Sequence, residues 1–212
     1  RSTLFPYTTL FRSPAGNDHL NGGYGGDTYV FSRGDGQDTI EDYSGGYEGV
    51  DKLIFKDINR EDVIFSRESE KDITILVKNS NDKIKIKYGN NPYHAIEEIH
   101  FANGEVMTYE EMMKQPFEYY GDEQDNTINT YSTDDKIFAG AGNDRIHAGD
   151  GNNIVYGGEG NDEIRSGSGN DILEGGKGND HLNGGYGGDT YVFSRREDRK
   201  STRLNSSHPA GS

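Results

Sequence analysis

A nine-residue repeat constrains this chain more than any other feature. From Gly121 onward, eight frames of nine residues follow one another without an insertion. The sixth position is Asp or Asn in every frame, and the eighth is Ile, Val, Leu or Tyr. In the last six frames the second and fourth positions are always Gly. Repetition at a short fixed period predicts an architecture in which each repeat packs only against its neighbours.

Each frame predicts a turn followed by a very short strand. One apolar residue between polar neighbours suits a strand with a single buried side chain. The paired glycines allow the backbone to turn through conformations with positive φ. Because one buried aliphatic residue cannot stabilise a strand alone, the repeats must stack and bury a continuous row of such residues. We therefore predict an all-β fold, a parallel β-roll with a narrow core.

The composition agrees with a narrow core and excludes several classes of protein. Apolar residues are only 30% of the 212 residues, and the net charge is −15. A chain of this kind stays unfolded unless something positively charged helps it to fold. Its acidity would repel nucleic-acid phosphates, and no apolar run is long enough for a membrane span. The absence of Cys excludes disulfides and thiolate metal sites.

The frames resemble the RTX (haemolysin-type) calcium-binding nonapeptide, Gly-Gly-x-Gly-x-Asp-x-aliphatic-x. The resemblance implies that two nonapeptides make one coil, so that turns stacked on one edge are two frames apart. It also implies several Ca²⁺ ions, each held between stacked turns by Asp side chains and turn carbonyls. Such oxygen ligands are those that Ca²⁺ prefers.

The two-frame spacing assigns the sixth positions to two edges. Asn126, Asp144, Asp162 and Asp180 lie on one edge, and Asp135, Asn153, Asp171 and Asp189 lie on the other. We expect tighter binding at 144/162, 162/180 and 171/189, because those pairs supply two carboxylates. The metal-site residues predicted for this array are Asp144, Asp162, Asp180, Asp171, Asp189, Asp135, Asn153, Gly140, Gly142, Gly158, Gly160, Gly167, Gly169, Gly176 and Gly178.

A shorter array precedes residue 43 and adds three candidate ligands, Asp18, Asp27 and Asp38. Asp18 and Asp38 are separated by two frames plus a two-residue slip, so allowing for the slip restores the regular spacing. The stretch from Gly16 to Arg33 is identical to the stretch from Gly178 to Arg195. This identity favours a parent protein with several tandem units, although an assembly error on a repetitive gene would also produce it.

The segment between the arrays has a different pattern. We predict strands at Lys52–Lys56, Asp62–Arg67, Asp72–Lys78, Lys83–Tyr88 and Glu97–Phe101, with a hairpin turn at 79–82. Thr108 and Glu111 form a capping-box pattern that predicts a short helix through Met113. Glu97 and Glu98 are interpreted as solvated charges. The segment resembles the haemolysin-type calcium-binding-related domain, and we interpret it as a spacer or cap.

These patterns divide the chain into five parts. Residues 14–42 form a partial array, 43–120 the β-rich spacer domain and 121–195 the array of eight nonapeptides. Residues 1–13 and 196–212 are set aside from the fold, because Thr3–Ser13 and Asp198–His208 resemble translated sequencing adapters.

The expected function is calcium binding without catalysis. The RTX resemblance implies a secreted, toxin-related bacterial protein that folds outside the cell after type I secretion. Two alternatives remain open at this point: the calcium-binding tail of a secreted protease or lipase, and a calcium-stiffened adhesin or surface-layer repeat.

Overall fold

The computed structural model describes residues 9–43, 49–67 and 69–193, and the backbone of residues 203–206. The chain divides into two compact units, Arg1–Gln115 and Pro116–Ser212, called unit 1 and unit 2 below. None of the helices among the described residues has the length and apolar character needed to cross a membrane.

Unit 1 begins with repeats and continues into the segment without repeats. Its described residues include a one-turn 3-10 helix at Arg60–Asp62 and an α-helix, α1, at Tyr109–Met113. Its strands are β1 (Leu10–Arg12), β2 (His19–Asn21), β3 (Thr28–Phe31), β4 (Gln37–Glu41), β5 (Lys52–Phe55), β6 (Val63–Ser66), β7 (Ile73–Val77), β8 (Lys83–Ile86), β9 (Glu98–His100) and β10 (Val106–Thr108).

The strands of unit 1 form two five-stranded sheets, with orders β1-β3-β5-β9-β10 and β2-β4-β8-β7-β6. Strands before and after residue 43 therefore share both sheets. The pairs β1–β3, β3–β5 and β5–β9 are parallel, as are β2–β4 and β4–β8. The remaining pairs are antiparallel, so the parallel stacking ends at hairpins.

Unit 2 is a regular parallel β-solenoid. Its sheets have the orders β11-β13-β15-β17-β19 and β12-β14-β16-β18-β20. The strands are β11 (Phe117–Tyr120), β12 (Thr127–Asn129), β13 (Asp135–Ala141), β14 (Arg145–His147), β15 (Ile154–Glu159), β16 (Glu163–Arg165), β17 (Ile172–Lys177), β18 (His181–Gly185), β19 (Thr190–Val192) and β20 (Arg203–Ser206).

The register of unit 2 follows directly from the repeat. Ile137 pairs with Val155 and Val155 with Leu173, each partner lying two frames further along the chain. Ile146, Ile164 and Leu182 stack in the same way in the other sheet. These eighth-position side chains, Ile137, Ile146, Val155, Ile164, Leu173 and Leu182, are completely buried. The predicted β-roll with two nonapeptides per coil is confirmed, and the eighth position is a buried aliphatic residue in six of the eight frames, while Ile128 and Tyr191 of the first and last frames are half-buried.

Predictions for the segment without repeats are also confirmed. The five predicted strands correspond to β5–β9, each within two residues at either end, and the hairpin turn lies between β7 and β8. Thr108 caps α1, and the Glu111 side chain accepts a hydrogen bond from the Thr108 backbone N–H in return. Two strands lie in the stretches that resemble translated adapters: β1 pairs in parallel with β3, and β20 pairs in parallel with β18.

Candidate metal centres

The sixth positions of unit 2 form two ladders of side chains, one on each edge of the solenoid. In the first ladder the backbone N–H of Asn126 donates to Asp144 Oδ1, that of Asp144 to Asp162 Oδ1, and that of Asp162 to Asp180 Oδ1, at 2.8–3.0 Å. Each side chain therefore fixes the turn of the preceding coil. Turns two frames apart are stacked, as expected from the repeat.

The second ladder is built in the same way on the opposite edge. The backbone N–H of Asp135 donates to Asn153 Oδ1 at 3.0 Å, and that of Asn153 donates to Asp171 Oδ1 at 2.8 Å. The N–H of Asp171 donates to Asp189 Oδ1 at 3.2 Å. The amide nitrogen of Asn153 donates to the carbonyl oxygens of Gly149 and Gly151 in its own turn. A carboxylate at this position would have an oxygen there, which cannot donate to these carbonyls.

The second carboxylate oxygens are left for another partner. Oδ2 of Asp144, Asp162 and Asp171 is buried and has no hydrogen-bond partner among the described residues. A buried anionic oxygen of this kind is costly unless a cation or donor satisfies it. A row of such oxygens beside turn carbonyls is a set of hard ligands, which fits Ca²⁺ and not a thiolate-preferring or imidazole-preferring metal.

Electrostatics in the ladders agree with a missing positive charge. Burial, together with the neighbouring carboxylates of Asp180 and Asp144, raises the pKa of Asp162 to about 6, although the hydrogen bond from the Asp144 N–H lowers it. Burial also raises the pKa of Asp144 and Asp171. The ionised ladder is therefore unfavourable by itself, and a divalent cation between the turns would reverse this.

The repeat glycines make the turns compact enough for this stacking. The φ angles of Gly158 and Gly160 are +115° and +131°, and a Cβ on either would overlap a backbone carbonyl of the coil below. A Cβ on Gly157 would overlap Oδ2 of Asp162, so the space beside this oxygen exists only because position one is Gly. The predicted glycines with positive φ are Gly140, Gly142, Gly158, Gly160, Gly169, Gly176 and Gly178.

Gly167 differs from the other predicted glycines because its φ is not positive. A Cβ at Gly167 would still lie only 2.5 Å from Asp150 Oδ1 and 2.7 Å from the Gly149 carbonyl oxygen. Close packing, and not the sign of φ, therefore explains the glycine at this position.

A further ladder, at the fifth positions, was missed by the sequence analysis. The side chain of Asn143 accepts from the backbone N–H of Asn161, and Asn161 accepts from that of Asn179, at 3.0 and 2.9 Å. Asn152 and Asn170 do the same on the other edge. The recurrence of Asn at this position was the signal that would have revealed it.

The N-terminal candidates follow the same principle with longer spacings. The backbone N–H of Asp18 donates to Asp38 Oδ1 at 2.9 Å, as expected from the two-residue slip. The N–H of Asp27 donates to Asp51 Oδ1 at 2.7 Å, and that of Asp51 donates to Glu97 Oε2 at 2.6 Å. The interpretation of Glu97 as a solvated charge is therefore wrong, because this half-buried residue continues the ladder and burial raises its pKa.

Asp51 is a residue that the sequence analysis missed. The stretch from Gly49 to Leu53 matches positions four to eight of the nonapeptide, with Asp51 at position six and Leu53 at position eight. This partial match was a usable signal. Glu97 carries no such signal, because no glycine precedes it in the nonapeptide pattern.

Two family models match stretches of the chain. A family model described as the RTX calcium-binding nonapeptide repeat (4 copies) matches residues 120–155, 129–164 and 156–191. A second, described as the haemolysin-type calcium binding protein related domain, matches residues 72–111. Both describe calcium-binding proteins and neither describes a catalytic domain. No curated protein matches the chain.

Proposed function

We propose that this chain, which carries RTX calcium-binding nonapeptide repeats and a haemolysin-type calcium-binding-related domain, uses calcium binding at its ladders to drive its own folding. The RTX repeats imply Ca²⁺ binding. The finer proposal is that binding and folding are a single process, because the sites exist only where coils are already stacked.

The observation that carries this proposal is the unpartnered Oδ2 in consecutive coils, on Asp144 and Asp162. Without calcium, each additional coil adds another buried negative charge beside the last one. With calcium, the same charges become ligands for an ion between the coils. The sites we propose are 144/162, 162/180 and 171/189, with weaker binding where Asn126 or Asn153 replaces a carboxylate.

The expected affinity supports folding outside the cell. Extracellular calcium modules bind at ~10⁻⁴–10⁻³ M, far above the free calcium of a cytosol. A chain with sites of this kind would remain unfolded while it is made and would fold after export. We propose on this basis that the protein is secreted in an unfolded state through a type I machinery. The matched families are calcium-binding, which supports the separate proposal that the matched residues bind calcium and do not catalyse a reaction.

A capping role is proposed for the part of unit 1 without repeats. The antiparallel strands β6, β7 and β10 lie at the ends of the two sheets of unit 1. Hairpins at these positions stop the parallel stacking and protect an edge on which another chain could pair. Of the predicted spacer 43–120, the residues up to Gln115 would then act as a terminator for the coils that begin at residue 14, whereas Phe117–Tyr120 form β11 of unit 2.

A calcium titration of the full chain, followed by far-UV circular dichroism, tests the proposed function. We expect a transition from coil to β-structure as calcium approaches the millimolar range, and no equal transition with magnesium at the same concentration. A matched variant carries Asp144→Asn, Asp162→Asn and Asp180→Asn, which preserve shape and remove three ligands from one edge.

The variant should need a higher calcium concentration for the same transition. Complete β-structure in the calcium chelator EGTA, with no change on adding calcium, would contradict the proposal. So would a calcium midpoint that the three substitutions leave unchanged.

A further inference from the structure

Three buried carboxylates converge in unit 1 from three separate turns. Asp27 precedes β3, Asp42 follows β4, and Asp51 precedes β5. One carboxylate oxygen from each lies within 4.8 Å of the other two. The exposed fractions of these residues are 0%, 2% and 1%.

The hydrogen bonds of these residues hold one oxygen of each carboxylate. Asp27 Oδ1 accepts from the Thr9 backbone N–H at 2.6 Å. Asp42 Oδ1 accepts from the Tyr43 N–H at 2.6 Å, and Asp51 Oδ1 accepts from the Asp27 N–H at 2.7 Å. The backbone therefore fixes the orientation of all three side chains without using their second oxygens.

The second oxygens of Asp27 and Asp42 point into a shared space beside Gly22. Asp27 Oδ2 is buried and has no hydrogen-bond partner among the described residues. Asp42 Oδ2 accepts from the Tyr29 hydroxyl at 2.5 Å. A Cβ on Gly22 would overlap the Tyr29 hydroxyl and would lie 2.6 Å from Asp27 Oδ2 and 2.8 Å from Asp42 Oδ2, so only glycine fits beside these three oxygens.

The charge of the cluster is balanced by no lysine or arginine among the described residues, and the basic side chain nearest to Asp42 is His94, whose Nδ1 lies 2.6 Å from the Asp42 backbone oxygen. Among the described residues, no lysine or arginine forms a salt bridge with Asp27, Asp42 or Asp51. Burial raises the pKa of Asp42, and it raises that of Asp51 to about 7. Buried carboxylates without a basic partner are found where a metal ion is bound.

We propose that Asp27, Asp42 and Asp51 bind one Ca²⁺ ion in unit 1, at a site separate from the ladders of unit 2. Asp42 occupies no sixth position of a nonapeptide, and Asp51 lies outside the residues matched by either family. The three carboxylate oxygens lie within 4.8 Å of one another, which fits Ca²⁺. Ligands at 2.3–2.6 Å on opposite sides of one Ca²⁺ ion are at most about 5 Å apart. The shorter bonds to Mg²⁺ would draw them closer together.

Two stretches of identical sequence show how this site differs from an ordinary repeat. Residues 16–33 and 178–195 have the same sequence, so Asp27 and Asp189 have identical neighbours along the chain. Tyr29 donates to Asp42, whereas the equivalent Tyr191 hydroxyl accepts from the Gly184 backbone N–H. The site thus depends on Asp42 and Asp51, which unit 1 supplies from outside the shared sequence.

Two measurements on the full chain, with calcium alone as the probe, test this proposal. Equilibrium dialysis counts the ions bound per chain. Hydrogen–deuterium exchange reports protection of β5 in unit 1 and of β15 in unit 2. The test variant is Asp42→Asn, and the control is Glu105→Gln, which neutralises an exposed acid of the same unit.

We expect calcium to slow exchange in both strands of the unaltered chain. D42N should bind one ion fewer and lose the calcium-dependent protection of β5 while keeping that of β15, and E105Q should behave as the unaltered chain. In EGTA, D42N should protect β5 at least as well as the unaltered chain, because it removes a buried charge. A purely structural role for Asp42 would instead weaken β5 with and without calcium.

Unchanged ion number and unchanged protection of β5 in D42N would overturn the proposal. The unaltered chain gives a test that needs no variant: if calcium protects β15 and not β5, this site is absent and the ladders remain. If calcium protects neither strand, the proposed function of the repeats fails as well. Asp51→Asn serves as the second variant should D42N fail to fold.

Discussion

Asp162 illustrates how a single side chain holds a coil in place and also makes it depend on a cation. Its Oδ1 fixes the backbone N–H of Asp144, and its own N–H binds Asp180. The cost is a buried Oδ2 without a hydrogen-bond partner among the described residues. An amide in place of the carboxylate would keep the first contact and remove most of the cost.

The substitution Asp162→Asn should therefore act in opposite directions with and without calcium. In EGTA we expect unit 2 to gain about 1–2 kcal/mol in free energy of unfolding, allowing for partial screening by water. In saturating calcium we expect a net loss, because two adjacent sites each lose a charged ligand. Because the calcium-free chain is mostly unfolded, folding induced by the osmolyte sucrose in EGTA measures the first value, and urea denaturation in calcium measures the second. A smaller folded fraction of D162N than of the unaltered chain in EGTA would contradict this account of the ladder.

The calcium-free chain should also respond to pH through the same residue. The pKa of Asp162 in the folded state is about 6, above its ordinary value of 3.8. Its contribution to stability is therefore complete below about pH 4 and is lost as the pH rises through 6. Sucrose-induced folding of the unaltered chain and of D162N, both stripped of calcium beforehand, between pH 4 and 7.5, isolates this contribution. The advantage of D162N should appear only as the pH rises, and a constant difference would count against burial of the charge.

At the scale of one turn, two glycines of the same loop separate backbone strain from steric overlap. Gly34 and Gly36 are positions two and four of one frame, with φ of +87° and +106°. A Cβ on Gly34 would meet no atom within 4 Å, whereas a Cβ on Gly36 would overlap the Gly16 carbonyl oxygen of the neighbouring coil. The two positions therefore differ in packing and not in conformation.

We expect Gly34→Ala to destabilise unit 1 by about 1–2 kcal/mol, the cost of a left-handed alanine. Gly36→Ala should cost more than this, because the loop must also move away from the next coil. Urea midpoints of the two variants measure the difference. Equal losses would mean that the coils are not packed as closely at this edge as the structure has them.

The elements also show where sequence reasoning succeeds and where it fails. In unit 2 the regular frames predict which strands pair and which residues are stacked, since every coil repeats the same residue types every 18 residues. In unit 1, Lys52 of β5 pairs with Thr28 on one side and with Glu98 on the other, so consecutive coils differ in length. No fixed period can predict these partners, because hairpin β7–β8 and its neighbours are inserted between stacked strands. Asp42 was missed for the same reason, since only folding brings it to Asp27.

The net charge of −15 acts on the whole molecule and not only on the ladders. Raising NaCl from 0.01 to 0.5 M shortens the screening length from about 30 Å to less than 10 Å. We expect salt in EGTA to compact the chain and to raise its β-content only in part, because screening weakens repulsion and supplies no ligand. Small-angle scattering and circular dichroism follow the two effects. Complete folding in NaCl without calcium would show that the carboxylates need neutralisation and no coordinated ion.

The parallel register, with two nonapeptides in each coil of unit 2, has a consequence for inheritance. Repetitive genes lengthen and shorten by unequal recombination, and here the unit exchanged is a nonapeptide, which is half a coil. Gain or loss of two nonapeptides leaves every later strand in its own sheet, as Ile137, Val155 and Leu173 are now. Gain or loss of one nonapeptide places every later strand in the opposite sheet, so that the chain leaves the solenoid on the opposite edge. Lineages of this protein should therefore differ by an even number of nonapeptides far more often than by an odd number.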